Sequence, residues 1–199
     1  MKALEIIKKY KLESYFKILL LENEANVSPY HNLWHTLTVF ENCSMITESE
    51  KINKEQTRNI LIAAMFHDFN HSAGKLKDSD NVKKAIDKFV SVSEEKEEDD
   101  KFVIDLIKAT EFPYVVENPD IYQQIIRDAD MLQLTKDDWI QMAIIGLKTE
   151  FNKDLKEHLN GQINFLNSIK LYTKMGNTMW NKCKNEIISD TKYLYDIVK

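Results

Sequence analysis

Residues 12–19 read Leu-Glu-Ser-Tyr-Phe-Lys-Ile-Leu, with apolar side chains at Leu12, Tyr15, Phe16 and Leu19. Steps of three and four match the turn of an α-helix and place these four on one stripe. The same spacing recurs through most of the chain, and strand-like alternation is nowhere sustained. The 199 residues include only four Gly and three Pro, against roughly 12% in an average protein, and sandwiches and barrels need those residues at their many turns. The expectation is an all-α fold, a single compact multi-helix domain over residues 1–199, because this length suits one sizeable core.

The pattern predicts helices over 2–22, 31–48, 54–68, 79–91, 95–110, 119–133, 136–151, 154–175 and 177–197. Asn53 with Gln56 and Thr135 with Asp138 resemble capping boxes, and Asn118-Pro119 places Pro at a first helical position. The run Ser93–Lys101 reads as a solvated helix start with acids in its first turn.

Hydrophobic residues make up 43% and charged residues 30%, as in a folding, soluble chain. With 27 basic against 32 acidic residues, the net charge of -5 argues against a polymeric nucleic-acid partner. A small anionic substrate stays compatible, because a bound metal reverses the field locally. Cys43 and Cys183 are too few for a disulfide framework and lack metal-ligand spacing, so a reducing compartment is expected. Met1–Glu22 carries lysines among its apolar residues and no small-residue cleavage site. The expected location is therefore cytoplasmic, with no membrane association.

Four of the five histidines form two pairs, His31 with His35 and His67 with His71, each spaced i, i+4. On helices, each pair would project from one face, about one turn apart. Asp68 follows His67 at the end of the apolar run Ile60–Phe66. Burying an imidazole beside a carboxylate is costly without partners, and a divalent cation satisfies both. A further acid is available in Ile125-Ile126-Arg127-Asp128-Ala129-Asp130-Met131-Leu132. Residues two apart point to different helix faces, so one of Asp128 and Asp130 faces the metal and the other pairs with Arg127 or another base.

The order His35, His67-Asp68, Asp130 resembles the HD superfamily of metal-dependent phosphohydrolases. Tyr30-His31-Asn32-Leu33-Trp34-His35 is similar to the YHNxxH motif of class I cyclic-nucleotide phosphodiesterases, and His67–Gly74 to their HDxDHxG motif, with Asn70 in place of the inner aspartate. Leu106–Glu111 resembles their IxATD-like stretch, Ala129-Asp130-Met131 their ADL, and Gly161–Leu166 their QxxF segment. Three departures stand out. The chain is shorter than that catalytic domain, Thr38 stands where an acid is usual, and a glutamate downstream of the His-Asp doublet has no clear counterpart. Asp78-Ser79-Asp80-Asn81 is the stretch expected to cover part of its role.

The resemblance implies that His35, His67, Asp68 and Asp130 hold a first metal of the zinc, manganese or iron kind, and that Asp68 bridges to a second, magnesium or manganese. It further implies hydrolysis of a cyclic nucleotide phosphodiester by metal-activated hydroxide, with His31 as general acid. His71 assists by orienting water or a carboxylate, and Tyr30, Gln162 and Phe165 contact substrate, the last two at the base. Without the resemblance, Gln162 reads as a surface glutamine and Phe165 as a core aromatic. The rival expectations are an HD-type nucleotidase or other phosphomonoesterase, and a non-catalytic nucleotide-binding sensor.

Overall fold

The computed structural model describes residues 2–25 and 28–198, and among them there are helices and turns but no strand. The first stripe folds as expected: Leu12, Tyr15 and Leu19 are buried and Phe16 packs against the core. It does so on two helices rather than one, α1 (Lys2–Tyr10) and α2 (Glu13–Ala25). Between them Lys11 has a φ of 55°, its N–H donates to the Lys8 carbonyl, and the Leu12 N–H donates to the Ile7 carbonyl. This is a Schellman ending with lysine in the left-handed position where glycine is usual. The same pairing closes the helix before Lys51 and the segment before Asn152, with φ of 56° and 49°.

Next come α3 (Leu33–Ser49) and α4 (Lys54–Phe66), which pack on each other at the centre of the molecule. Residues 60–66 are fully or almost fully buried, which explains their unbroken apolar run. Phe66 anchors them, in edge contact with Tyr15 and Phe89 and stacked on Phe69. Around this pair lie α5 (Asp78–Val92), α6 (Glu97–Ala109) and α7 (Ile121–Met131): α4 contacts all three, and α3 also contacts α7. The first turn of α6 carries Glu97, Glu98, Asp99 and Asp100, so the acidic run is a helix start. Asn53 caps α4 by accepting from the Gln56 N–H.

Several predicted boundaries move. Pro119 lies before the helix it was expected to begin, because Asp120 is the N-cap of α7 and forms a capping box with Gln123. Thr135 forms no capping box. It closes a 3₁₀ turn, Leu132–Thr135, and its hydroxyl donates to the Leu132 carbonyl. The predicted helix over 136–151 is a turn, a π-helical segment Ile140–Gly146 and the short α8 (Leu147–Glu150). The last two helices break before Thr173 rather than near Gly176, giving α9 (Leu155–Ser168) and α10 (Lys174–Ile197). These elements enclose a second apolar cluster that includes Trp139, Ile144, Leu159 and Trp180. Among the described residues, no helix is long and apolar enough to cross a membrane.

The break at 169–173 has a cause two residues from Asp130. Asp128 is fully buried, and its carboxylate accepts from the Tyr172 N–H and from the N–H and hydroxyl of Thr173. Arg127 does not pair with it. Its guanidinium donates to the Ala109 and Val116 carbonyls instead and stacks on the Tyr114 ring. Asp128→Ala strands the two buried donors of Thr173 and the part-buried Tyr172 N–H, so it is expected to lower stability by about 3 kcal/mol, measurable by urea denaturation.

Candidate metal centre

Asn32 starts the site. As the N-cap of α3, its side-chain oxygen accepts from the Trp34 and His35 N–H groups, and its amide donates to the Ser28 and Pro29 carbonyls. One residue therefore fixes both the first turn carrying His35 and the loop carrying Tyr30 and His31. The helix begins after His31, so the first histidine pair does not share a helical face as expected. The second pair does not either. His67 is the C-cap of α4, and the chain then passes through left-handed backbone at Asn70, so His71 lies outside the helix.

His35 and His67 nevertheless meet across the α3–α4 contact, with ring centroids 5.4 Å apart. Asp68 Oδ2 lies 3.1 Å from His35 Nε2 and 2.9 Å from His67 Nε2. Asp130 Oδ1 lies 3.2 Å from His35 Nε2, reaching in from α7. Asn42 sets that helix in register by donating to the Ala129 carbonyl, with its own oxygen held by Lys136. His35, His67 and Asp68 each place a donor atom within 4.8 Å of the others. The sequence left open which acid faces this centre. The structure brings Asp130 to it and turns Asp128 to the 172–173 backbone.

These contacts are close, yet they lack hydrogen-bond alignment: the Nε2 atoms of His35 and His67 are buried with no hydrogen-bond partner. His67 Nδ1 lies 2.9 Å from the Ala64 carbonyl. If Nδ1 carries the proton and donates there, the Nε2 lone pair faces the carboxylates. Two imidazole nitrogens and the Asp68 carboxylate clustered together, with Asp130 Oδ1 against His35, fit a divalent cation of the zinc, manganese or iron kind. With protein groups alone the centre is electrostatically tense. Burial pulls the His35 pKa down, but Asp130 and Asp68 outweigh it and raise it to about 10. Burial works to raise the Asp68 pKa, and the facing imidazoles hold it well below the usual carboxylate range.

A second cluster adjoins the first. His31 Nδ1 lies 3.0 Å from Glu150 Oε2, His71 Nδ1 lies 3.7 Å from Oε1, and the two imidazole rings are 3.6 Å apart. The Ser28 hydroxyl donates to Glu150 Oε1. Tyr30 separates the two clusters, its ring against both His31 and His35. Burial first, then Asp130 and Asp68, push its phenol pKa well up.

Glu150 was invisible in the sequence, as an acid at the end of an apolar stretch with no motif around it. Two glycines bring it in. A Cβ on Gly146 would sit 2.9 Å from the Pro29 carbonyl, and one on Gly74 would sit 2.8 Å from the Phe151 ring and 3.0 Å from the Glu150 carbonyl. Both loops thus touch the segment that carries Glu150. Asp78–Asn81, the stretch expected to act here, stands further out. Asp78 Oδ1 is 3.9 Å from His71 and its other oxygen accepts from the Phe112 N–H, while Asn81 holds the Ser72 N–H.

A cleft of about 220 Å³ is lined by Phe112, Tyr114, Met131, Phe165 and Tyr172 among others, Met131 being the residue after Asp130. Phe165 packs against the second apolar cluster and also faces this cleft, in edge contact with Phe112. Gln162, one turn earlier on α9 and half-buried, is not among the cleft-lining residues. A larger groove of about 800 Å³, between α5 and α6, is lined largely by mixed charges and contains none of these residues.

Residues 33–135, just over half of the chain, match the HD domain. No curated protein matches the chain.

Because His35 is held protonated up to about pH 10, it must lose a proton to ligate a cation. Metal uptake at pH 7 is therefore expected to release protons, and apparent affinity to rise with pH toward 10. Calorimetry in buffers of different ionisation enthalpy measures the release. Asp68→Ala is expected to abolish tight uptake at this centre and the thermal stabilisation that accompanies it.

Proposed function

The chain belongs to the HD-domain family, whose members are metal-dependent phosphohydrolases, and on that premise we propose that it is a phosphodiesterase opening a cyclic nucleotide. The reading rests on one observation above all: the cluster of His35, His67 and Asp68, with Asp130 against His35, is accompanied by an imidazole, His31, held by the buried carboxylate of Glu150. His35, His67, Asp68 and Asp130 would hold the first divalent cation. A second, of the magnesium or manganese kind, would share Asp68. Such cations supply Lewis acidity toward a phosphoryl oxygen and lower the pKa of an attacking water.

The protein's own groups handle the leaving proton. Burial acts to raise the Glu150 pKa, but the His31 and His71 side chains and the Ser28 hydroxyl overcome it and hold the carboxyl below its usual range. An ionised Glu150 accepts from His31 Nδ1–H and orients the ring. His31 Nε2 is then the donor to the departing ribose oxygen. His71 lies on the other side of the same carboxylate, its Nδ1 3.7 Å from Oε1. Tyr30, kept neutral, packs against the His31 and His35 rings and fixes their spacing.

The aromatic cleft is where a nucleobase would lie. Phe165, Tyr114 and Phe112 offer ring faces and edges to it. The position of Gln162 outside that wall favours a second reading, a nucleotidase acting on nucleoside monophosphates, which would not need an amide at the base. In either case the partner is a small nucleotide, consistent with the net charge of -5.

Purified protein with Mn²⁺ or Mg²⁺ should cleave at least one cyclic mononucleotide or cyclic oligonucleotide. Cleavage of nucleoside monophosphates alone would select the second reading, and no metal-dependent cleavage of either class would refute both. His31→Ala should retain metal and lose turnover by about 10²–10⁴-fold. Glu150→Gln should also slow turnover, because His31 Nδ1 loses the carboxylate that orients its ring.

A further inference from the structure

We propose that His31, His71 and Glu150 form a separate binding site for a transition-metal ion such as zinc, and that filling it switches the enzyme off. The binding rests on geometry alone, whereas the inhibition also rests on the proposed role of His31 as proton donor.

One donor atom from each of the three residues lies within 4.8 Å of the others. They come from three distant parts of the chain and are shielded from solvent, with side-chain exposures of 14% for His31, 3% for His71 and 0% for Glu150. As a hydrogen-bonded triad the cluster is incomplete. Glu150 is within bonding distance of His31, but His71 Nδ1 stands off at 3.7 Å. That nitrogen accepts a long contact from the Ala73 N–H at 3.3 Å, so it is the unprotonated nitrogen of the ring. Its outward nitrogen faces Asp78 at 3.9 Å. A carboxylate behind the far nitrogen of an imidazole, and a hydroxyl on a ligating carboxylate, are the supports that metal ligands commonly carry. Ser28 stands in the second of those places, and Asp78 faces the first from 3.9 Å, outside direct hydrogen-bond distance.

The donor set selects the ion. Two neutral imidazoles and one carboxylate carry a net charge of -1 and suit zinc or a similar borderline-soft cation, whereas magnesium prefers an oxygen shell rich in water. A cation on His31 Nδ1 replaces the proton shared with Glu150, which leaves for solvent. The ring can then no longer become the imidazolium that protonates the leaving group. Low zinc would fill the His35 centre, and further zinc would stop turnover.

The test uses chelator-stripped full chain dialysed against zinc, with bound metal counted by mass spectrometry. Asp68→Ala, which disables the first centre, should keep one zinc ion, and adding His71→Gln or Glu150→Gln should weaken that ion at least tenfold. In ¹⁵N-histidine spectra of Asp68→Ala, zinc should shift the Nδ1 signals of His31 and His71, a readout independent of whether the double variants fold. Zinc-free Asp68→Ala with unmoved signals would overturn the site. In the wild type with saturating Mn²⁺, added zinc should suppress cleavage at least tenfold. Unchanged turnover with the triad loaded would overturn the inhibitory role. If no substrate is cleaved at all, the proposed function fails and the zinc count still decides the site.

Discussion

Asp68 Oδ2 sits between the Nε2 atoms of His35 and His67, and this shared carboxylate is the contact on which the rest of the molecule depends. It joins the first turn of α3 to the C-cap of α4, the two helices at the core. An unpaired carboxylate facing two buried imidazoles would be costly, so the packing of α3 on α4 is acceptable only with protons or a cation between them. The apolar run Ile60–Phe66 holds α4 rigidly in the core and so delivers His67 and Asp68 at a fixed depth. Fold stability and metal chemistry are thereby concentrated at the same helix end.

Three consecutive roles on α7 build outward from that centre. Asp130 faces His35, Asp128 holds the 172–173 backbone, and Arg127 holds the 109–116 loop and the Tyr114 ring. Both walls of the aromatic cleft are therefore tied to the helix that supplies the last acid of the metal centre. On the opposite side, the close approach of Gly146 to Pro29 and of Gly74 to Glu150 brings a second carboxylate against His31 and His71. The scarcity of glycine in the chain takes on meaning here: two of its four glycines occur where backbones must nearly touch, while helix ends elsewhere close on Lys11, Lys51 and Asn152 in left-handed conformation.

Much of this was legible in the linear order of residues. Leu12, Tyr15, Phe16 and Leu19 predicted a helical stripe, Asn53 a cap, and the acids at 97–100 a helix start, because each is a local effect within one or two turns. Helix ends were less legible. Lysine in a left-handed ending carries no sequence signal, so 2–22 looked continuous. The i, i+4 histidine spacing pointed to the right residues through the wrong geometry, since neither pair shares a helix face: Asn32 starts its helix after His31, and the chain turns at Asn70 before His71.

By itself the sequence determined an all-helical chain, the pairing of His67 with Asp68 at the end of a buried helix, and the ordered motifs of an HD domain, because periodicity and short motifs are properties of neighbouring residues. Only the tertiary structure decided between Asp128 and Asp130, revealed Glu150, and set Phe165 in the cleft wall while leaving Gln162 outside it. Those outcomes depend on which surfaces of distant helices come together. A carboxylate 119 residues from His31 in the chain reaches it only because two glycines let the backbone approach.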